Sequence, residues 1–555
     1  MSINKKRRSN TEGNRALELF TNCDRLIHVF ASYIHDDSAV EKILFFHGDG
    51  GNGKSLLMKF LRQKCCKRFR TGIWQNIKSR NDAKAAYIEH ADSWGTKSIP
   101  AVLHDFGLRA GADKPQDPFD GLLMLRRNLG REAKEQGYPL HFPLYDFACV
   151  WYLNKKHKLS KEEWEKLFPE EELELVLILV DAFNKTAFGQ IVDAVWDIVY
   201  NHYGTNFYVF WQQRGLNKED LEEIKNWDID RELIDELPRL FAQDLNTAMS
   251  QKNTPQKIVL FFDTHEAFWG VQEKPTLQGY LYFAKDEWFR YLLVELKMLS
   301  GIVVVVAGRE QPKWEFASKH PIAPNYLDAQ LVDSLSNADA KEYLESASIT
   351  NSELQQSIIT YASIAVDRVH PLLLGLCADT ILQNPNNNFL ALSSLSFEDK
   401  ARNVIDRLLS YINRETAAVV RALSACRAFD DRIYKLLSEE LNFQATDESF
   451  NILTEFSFVW KVEQRGSQWY RIHDLVRRFN YELQDEKTHK NIQKAHTVLE
   501  NYYRQKNEVA EAIYHANRLD WKRGVDEWVK EFDAALKKSR YEQCRALLEI
   551  RSELI

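Results

Sequence analysis

Gly48-Asp49-Gly50-Gly51-Asn52-Gly53-Lys54-Ser55 decides how the rest of this chain is read. The octet has the form G-x-x-x-x-G-K-[ST]. Glycines in such a turn let backbone N–H groups wrap an anionic phosphate, and the turn runs into a helix whose N-terminus favours negative charge. In that geometry Lys54 reaches the β- and γ-phosphates of a nucleotide and the Ser55 hydroxyl ligates Mg²⁺. Gly48, Gly50, Gly51, Asn52, Gly53, Lys54 and Ser55 are therefore the expected nucleotide-binding residues. The flanks supply the context the motif needs. A strand, Lys42 to Phe46, lies directly before it. A helix from Ser55 to Lys67 lies directly after it, with Leu56, Leu57, Phe60 and Leu61 on one face.

Two further runs, Lys257 to Phe262 and Ile302 to Val306, are continuously apolar and rich in β-branched residues. Such runs suit strands of a parallel sheet covered by helices on both faces, so the fold class expected is α/β. The first run ends in Asp263-Thr264-His265-Glu266. An aspartate at the carboxyl end of a strand can hold Mg²⁺ through water, and a carboxylate three residues on can polarise an attacking water. Asp263 is thus the expected metal partner of Ser55, and Glu266 the expected catalytic acid–base group. His265 reads as a packing or hydrogen-bonding residue, because no second metal-type cluster lies near it. The second run ends in Gly308-Arg309-Glu310. Ligands sit at the carboxyl ends of parallel strands, so Arg309 either senses a γ-phosphate or pairs with Glu310 or another nearby acid.

The remaining composition bounds these readings. The chain has 555 residues, 45% apolar and 28% charged, with a formal net charge of −7. Three to four domains of roughly 100–200 residues are expected. The charge gives no global pull toward nucleic acid or anionic membrane. Seven cysteines without a CxxC pair read as buried thiols of a reduced cytoplasmic protein. The basic start, Lys5 to Arg8, is not followed by an apolar segment and is no signal peptide. No apolar run reaches the ~18 residues of a membrane span.

Along the chain, residues 16–36 read as an amphipathic lead-in, and Ser98 to Phe106 as a second strand. Residues 110–255 read as a mainly helical insertion, with a helix start of capping-box spacing at Ser160 to Glu163. Asn217-Lys218-Glu219-Asp220 spells a guanine-reading pattern, but it precedes the Asp263 strand and leads into a helical pattern, so it reads as a helix start. From about 325 onward the periodicity is mostly helical, except for a hairpin formed by Phe458 to Val462 and Gln468 to Ile472.

Taken together, the phosphate loop, the D-small-x-E strand end and the strand ending in Gly-Arg resemble the signal-transducing ATPases with numerous domains (STAND). Val369-His370-Pro371-Leu372-Leu373 resembles the GxP motif of that family, whose proline packs near adenine. Tyr470-Arg471-Ile472-His473-Asp474 resembles its winged-helix motif, whose histidine reaches the bound diphosphate. Ala495 to Leu548 is similar to the helical repeats of bacterial STAND regulators such as the maltose-regulon activator, with Glu511 to Ala516 and Asp520-Trp521 as the recognisable segment. Two positions depart from the family pattern: Cys23 stands where an arginine near adenine is usual, and Val369 where the GxP glycine is usual.

The resemblance implies a lead-in segment (1–40), a P-loop NTPase domain (41–324) holding the insertion of about 110–255, a helical domain (325–400), a winged helix (401–485) and the start of a TPR-like α-solenoid (486–555). It adds Pro371 and His473 to the nucleotide-binding set, with ATP or ADP and Mg²⁺ as cofactors. The implied function is a switch in bacterial signalling or defence, ADP-locked at rest, ATP-bound and homo-oligomeric when active, with slow ATP hydrolysis. The stimulus, a protein or ligand, would bind the C-terminal repeats. About fifteen residues precede the ATPase region, too few for a domain, so the effector would lie on a separate protein or in a further C-terminal segment. Stable stacks need about three repeats and about one to two are visible, so the chain would continue past Ile555 or a partner would cap it. His473 also admits a second reading, as a core histidine satisfied by backbone. A DNA-binding ATPase of the origin-recognition or transposition type is the rival, but Leu436 to Trp460 holds no Lys or Arg and five acidic residues, whereas phosphate contacts need positive charge. A plain NTP-hydrolysing enzyme acting on a small substrate would need a nucleophile–base pair beyond the phosphate site, and the sequence shows none.

Overall fold

A computed structural model of the chain describes residues 23–36, 41–48, 50–107, 115–138, 140–156, 218–251, 254–268, 283–383, 414–454, 459–462, 469–472, 486–538 and 540–551, together with a few shorter pieces. The three apolar runs form strands where the sequence puts them. They are β1 (Ile43–His47), β3 (Ile258–Asp263) and β4 (Ile302–Gly308); β2 (Ala101–Asp105) is the second strand candidate. With β5 (Leu327–Leu331) they make a five-stranded sheet in the order β2-β3-β4-β1-β5, and every neighbouring pair is parallel.

Side chains alternate across these strands, and the two faces enter different cores. Ile43, Phe45, Leu260, Phe262, Val304 and Val306 face one cluster. Leu44, Phe46, Val259, Phe261, Val303 and Val305 face the other. Burial on both faces is why these strands read as unbroken apolar runs. The second cluster is closed by helices Asp24–His35, Lys54–Phe60, Thr71–Lys78 and Ala83–His90.

The first cluster is closed by helices of the long segment between β2 and β3: Pro118–Glu135, Pro143–Lys156, Lys218–Asn226 and Glu232–Met249. Among its described residues this stretch is helical, and it covers one sheet face as the crossover between two adjacent parallel strands. Helix Pro118–Glu135 starts as local chemistry requires. The Asp117 side chain accepts from the Phe119 and Asp120 N–H groups, and Pro118 occupies a position whose N–H would have had no partner. Lys218 does open a helix, so the guanine-reading pattern is a helix start. The Ser160–Glu163 capping box lies outside the described residues.

Inside this layer Arg126 and Asp146 form a two-pronged ion pair, Nε to Oδ1 at 3.1 Å and Nη2 to Oδ2 at 2.9 Å, with both side chains 1% exposed. Truncating one partner of a buried pair leaves the other charge uncompensated. Asp146→Ala is therefore expected to cost about 3–5 kcal/mol, read as an earlier unfolding transition by tryptophan fluorescence, since Trp151 packs in the same core. An unshifted transition would contradict this assignment.

β5 corrects the expectation of helix from 325 onward. Among the described residues it is an edge strand, paired to β1 alone, and its sequence Leu-Asp-Ala-Gln-Leu is half-buried. An edge strand with one polar side carries no apolar run to betray it. Its Asp328 accepts from the Tyr33 hydroxyl at 2.7 Å, which ties the edge to the helix Asp24–His35. A small ribbon, Ser363–Ala365 with Arg368–Val369, was likewise invisible in the helical periodicity.

Beyond the sheet one apolar cluster runs from Leu335 to Ala512. It contains helices Asn337–Ser346, Ser352–Ala362 and Pro371–Gln383. It continues through helices Arg414–Leu423, Asp431–Leu441 and Asp447–Thr454 and the expected hairpin, β6 (Val459–Val462) with β7 (Trp469–Ile472). Phe429 and Tyr470 exchange two backbone hydrogen bonds of 2.8 Å, an antiparallel bridge that adds a one-residue rung on the other side of β7. Helices Glu486–Gln505, Val509–Leu519, Trp521–Lys537 and Tyr541–Arg551 pack successively on one another. All seven cysteines are buried and free. Among the described residues no helix is long and apolar enough to cross a membrane.

Candidate functional site

The carboxyl ends of β1, β2, β3 and β4 meet at one edge of the sheet. β1 delivers the chain into the glycine loop. Gly51 and Gly53 both have φ +86°, a left-handed conformation that L side chains rarely adopt. A Cβ on Gly51 would lie 2.5 Å from Cε1 of His370, so the position needs glycine for space as well as for backbone. Lys54 is buried, and its ammonium folds back to donate to the Gly48 carbonyl at 2.6 Å. Asn52 turns its amide away from the loop, to the Val332 carbonyl just after β5, at 3.3 Å.

Asp263 and Asp105 are register partners at the ends of β3 and β2. Asp263 is buried, and Ser55 hydrogen-bonds its carboxylate, so the two groups expected to share one metal ion are in contact. Burial, with Asp105 and Glu266 close by, pushes the Asp263 carboxyl up to about 7 against the opposing effect of the hydrogen bonds from Ser55 and the Thr264 N–H. Thr264 follows at φ 59°, a costly conformation for a β-branched residue. Its N–H donates to Asp263 Oδ1 at 2.8 Å. The strained turn lifts Glu266 into a short 3₁₀ segment, His265–Phe268.

Glu266 Oε1 lies 3.2 Å from Arg309 Nε, while Glu266 Oε2 is buried without a partner among the described residues. Arg309 also flanks the loop, 3.9 Å from where a Gly50 Cβ would stand. Of the two readings of Arg309, the structure has the paired one, with Glu266 as the acid and not Glu310. A role at a phosphate would require it to leave Glu266. His265 is a buried structural residue. Its Nε2 contacts Asp286 Oδ2 at 3.1 Å, its ring meets Trp314 edge-on, and burial holds its pKa down at about 3.

These residues fit a metal held jointly with a phosphate chain. Three carboxylates crowd one edge, and the one in contact with Ser55 is held protonated to unusually high pH, a condition a dication would relieve. Among the described residues, though, no group of three or more His, Cys, Asp or Glu side chains is arranged to hold a metal unaided. Magnesium bound through one or two protein oxygens plus phosphate oxygens matches that poverty of ligands.

Three residues that the structure places at this edge are given no role by the sequence. Asp105 is one, and the rule that ligands gather at strand ends would have flagged it. His370 is another: buried, it places Nε2 3.2 Å from the Gly50 carbonyl. Pro371 begins the helix that follows, between two residues, His370 and Leu372, that both approach Gly51. Arg471 is the third. From β7 it donates to the Gly107 carbonyl at 2.9 Å, just past Asp105. His473, two residues further, lies outside the described residues.

No protein-family model matches the chain, and no curated protein matches it. Among solved structures it is similar to a signal-transduction ATPase with numerous domains, carrying a tetratricopeptide-repeat sensor, from Pyrococcus horikoshii. The identity is 10% and the TM-score 0.41, over 99% of this chain and 55% of that one. The chain thus spans about half the length of the structure it matches. A likeness this distant carries no weight for function, which rests on the site itself.

Proposed function

We propose that this chain is an ATP-driven molecular switch of the STAND class. One observation carries the reading: a glycine loop followed by Lys54 and Ser55, with Ser55 hydrogen-bonded to Asp263 at the carboxyl edge of a parallel sheet. In this reading the loop N–H groups and Lys54 bind the phosphates of ATP or ADP. Ser55 and Asp263 hold Mg²⁺, which neutralises phosphate oxygens when bound. Glu266 orients a water, and Arg309 exchanges Glu266 for the γ-phosphate. Hydrolysis is slow and resets the switch.

The regulatory half of the proposal concerns the segments that lean on this edge. The three helices and hairpin of 414–472 form a winged helix, supported by the helix–helix–helix–hairpin order and by the Phe429–Tyr470 rung. Arg471 brings that unit to Gly107 beside the acidic edge. With Pro371 near adenine and His473 at the diphosphate, ADP would hold the chain closed. ATP, bearing the γ-phosphate, would favour an open form that assembles into a homo-oligomer. The C-terminal helices are TPR-like repeats that receive a protein or ligand stimulus, and the effector is carried separately or further along the chain. The setting proposed is the bacterial cytoplasm, without membrane or DNA partners.

Protein purified without added nucleotide should release stoichiometric ADP on denaturation, separable by ion-exchange chromatography. It should also elute as a monomer until exchanged into Mg·ATP. A chain that purifies empty and takes up neither nucleotide would end this reading.

A further inference from the structure

We propose that His370 is a positioning residue of the phosphate loop, which aligns the Gly50–Gly51 peptide and passes the loop's occupancy to the helix Pro371–Gln383. The inference rests on the nucleotide reading and adds a residue that reading does not require.

The geometry fixes what the imidazole does. Its Nδ1 faces the N–H of Leu373 at 3.5 Å, so Nδ1 is the acceptor and the proton sits on Nε2. That proton is then directed at the Gly50 carbonyl 3.2 Å away. No peptide among the described residues is cis, so a Gly50 carbonyl turned toward His370 turns the Gly51 N–H to the opposite side. Loops of this kind hold phosphate with such N–H groups. His370 thus selects which way one loop donor points. The ring is also seated hard against Gly51, whose missing Cβ leaves the space it occupies.

The other side of the residue is bound to the helical segment. The His370 N–H donates to the Ala362 carbonyl at 3.0 Å, and its own carbonyl accepts from Leu374 at 3.0 Å in the first turn of the helix Pro371–Gln383. A peptide flip or shift at Gly50–Gly51 on phosphate binding therefore cannot leave the start of that helix unchanged. The residue thus links the core beneath the loop to the one running from Leu335.

Two substitutions separate the loop contact from the local one. His370→Asn keeps an acceptor for the Leu373 N–H but is too short to reach Gly50. His370→Gln extends an amide N–H toward it. Calorimetry with Mg·ATP and Mg·ADP on the full chain, beside hydrogen exchange of residues 371–376 with and without nucleotide, is the test. The Asn variant should bind about three- to tenfold more weakly, the worth of one net hydrogen bond. It should also lose the nucleotide-dependent protection of that helix turn. The Gln variant should stay within about twofold of wild type. Wild-type affinity and protection in the Asn variant would overturn the proposal. So would equal weakening in both variants with a fall in melting temperature that ignores nucleotide, which marks a purely structural histidine. If the wild-type chain binds no nucleotide, the nucleotide reading itself fails, a result distinct from either.

Discussion

Replacing Lys54 with alanine is expected to lower Mg·ATP affinity by at least about 100-fold while leaving the fold in place. A hydrogen bond from a charged donor to phosphate is worth roughly 1.5–3 kcal/mol, and in the proposed reading Lys54 makes two of them, to the β- and γ-phosphates. Their joint loss corresponds to about two or more decades in Kd. The cost to the unliganded fold is smaller. In the structure the ammonium donates to the Gly48 carbonyl at 2.6 Å, and a lost hydrogen bond of that kind costs about 1 kcal/mol. Calorimetry paired with thermal unfolding separates the two effects. An alanine variant that binds Mg·ATP as wild type does would remove the phosphate-loop assignment, and with it the proposed function.

The second large effect concerns Asp263. Its carboxyl stands at about 7 in the folded chain, against 3.8 for the free group. Between those values the folded protein keeps a proton that the unfolded chain has released. Stability of the unliganded fold is thus highest below the unfolded value and falls as pH rises toward 7, then levels off. Asp263→Asn cannot ionise, so its unliganded melting temperature should lose that part of the decline and exceed the wild-type value at pH 8. The same variant should lose Mg²⁺-dependent ATP binding, whereas in wild type that binding should strengthen from pH 6 to 8 as the carboxylate forms. Melting curves from pH 5 to 9, with and without Mg·ATP, check both halves. Parallel unliganded curves for variant and wild type would show that Asp263 is not the strained acid described above.

The contrast between what the sequence discloses and what it hides follows from burial. β1, β3 and β4 are covered on both faces, so their composition alone marks them, and the octet between β1 and its helix is a local pattern that needs no partner. Asp263 and Glu266 follow from their place after an apolar run. β5 is uncovered on one edge and half polar, so nothing in Leu327 to Leu331 distinguishes it from a loop or a helix end. His370 and Arg471 gain their roles from contacts with Gly50 and Gly107, hundreds of positions earlier, and no local spacing encodes such a meeting. Arg309 shows the limit from the other side. Its position was legible, but its partner was a choice between acids that only three dimensions could make.

The order β2-β3-β4-β1-β5 has a bearing on how the chain comes to be folded at all. Ala101 must find Val259, and Leu44 must find Val305, before the central ladder exists. Closing loops of that length is slow even where its equilibrium cost grows only logarithmically, and parallel pairings reward the chain late. On a ribosome, β1 and its glycine loop emerge long before any neighbouring strand of the sheet. They wait as an exposed apolar segment until β4 arrives, after the helical crossover has been made. That interval is when the nascent chain is most open to aggregation and to chaperone capture.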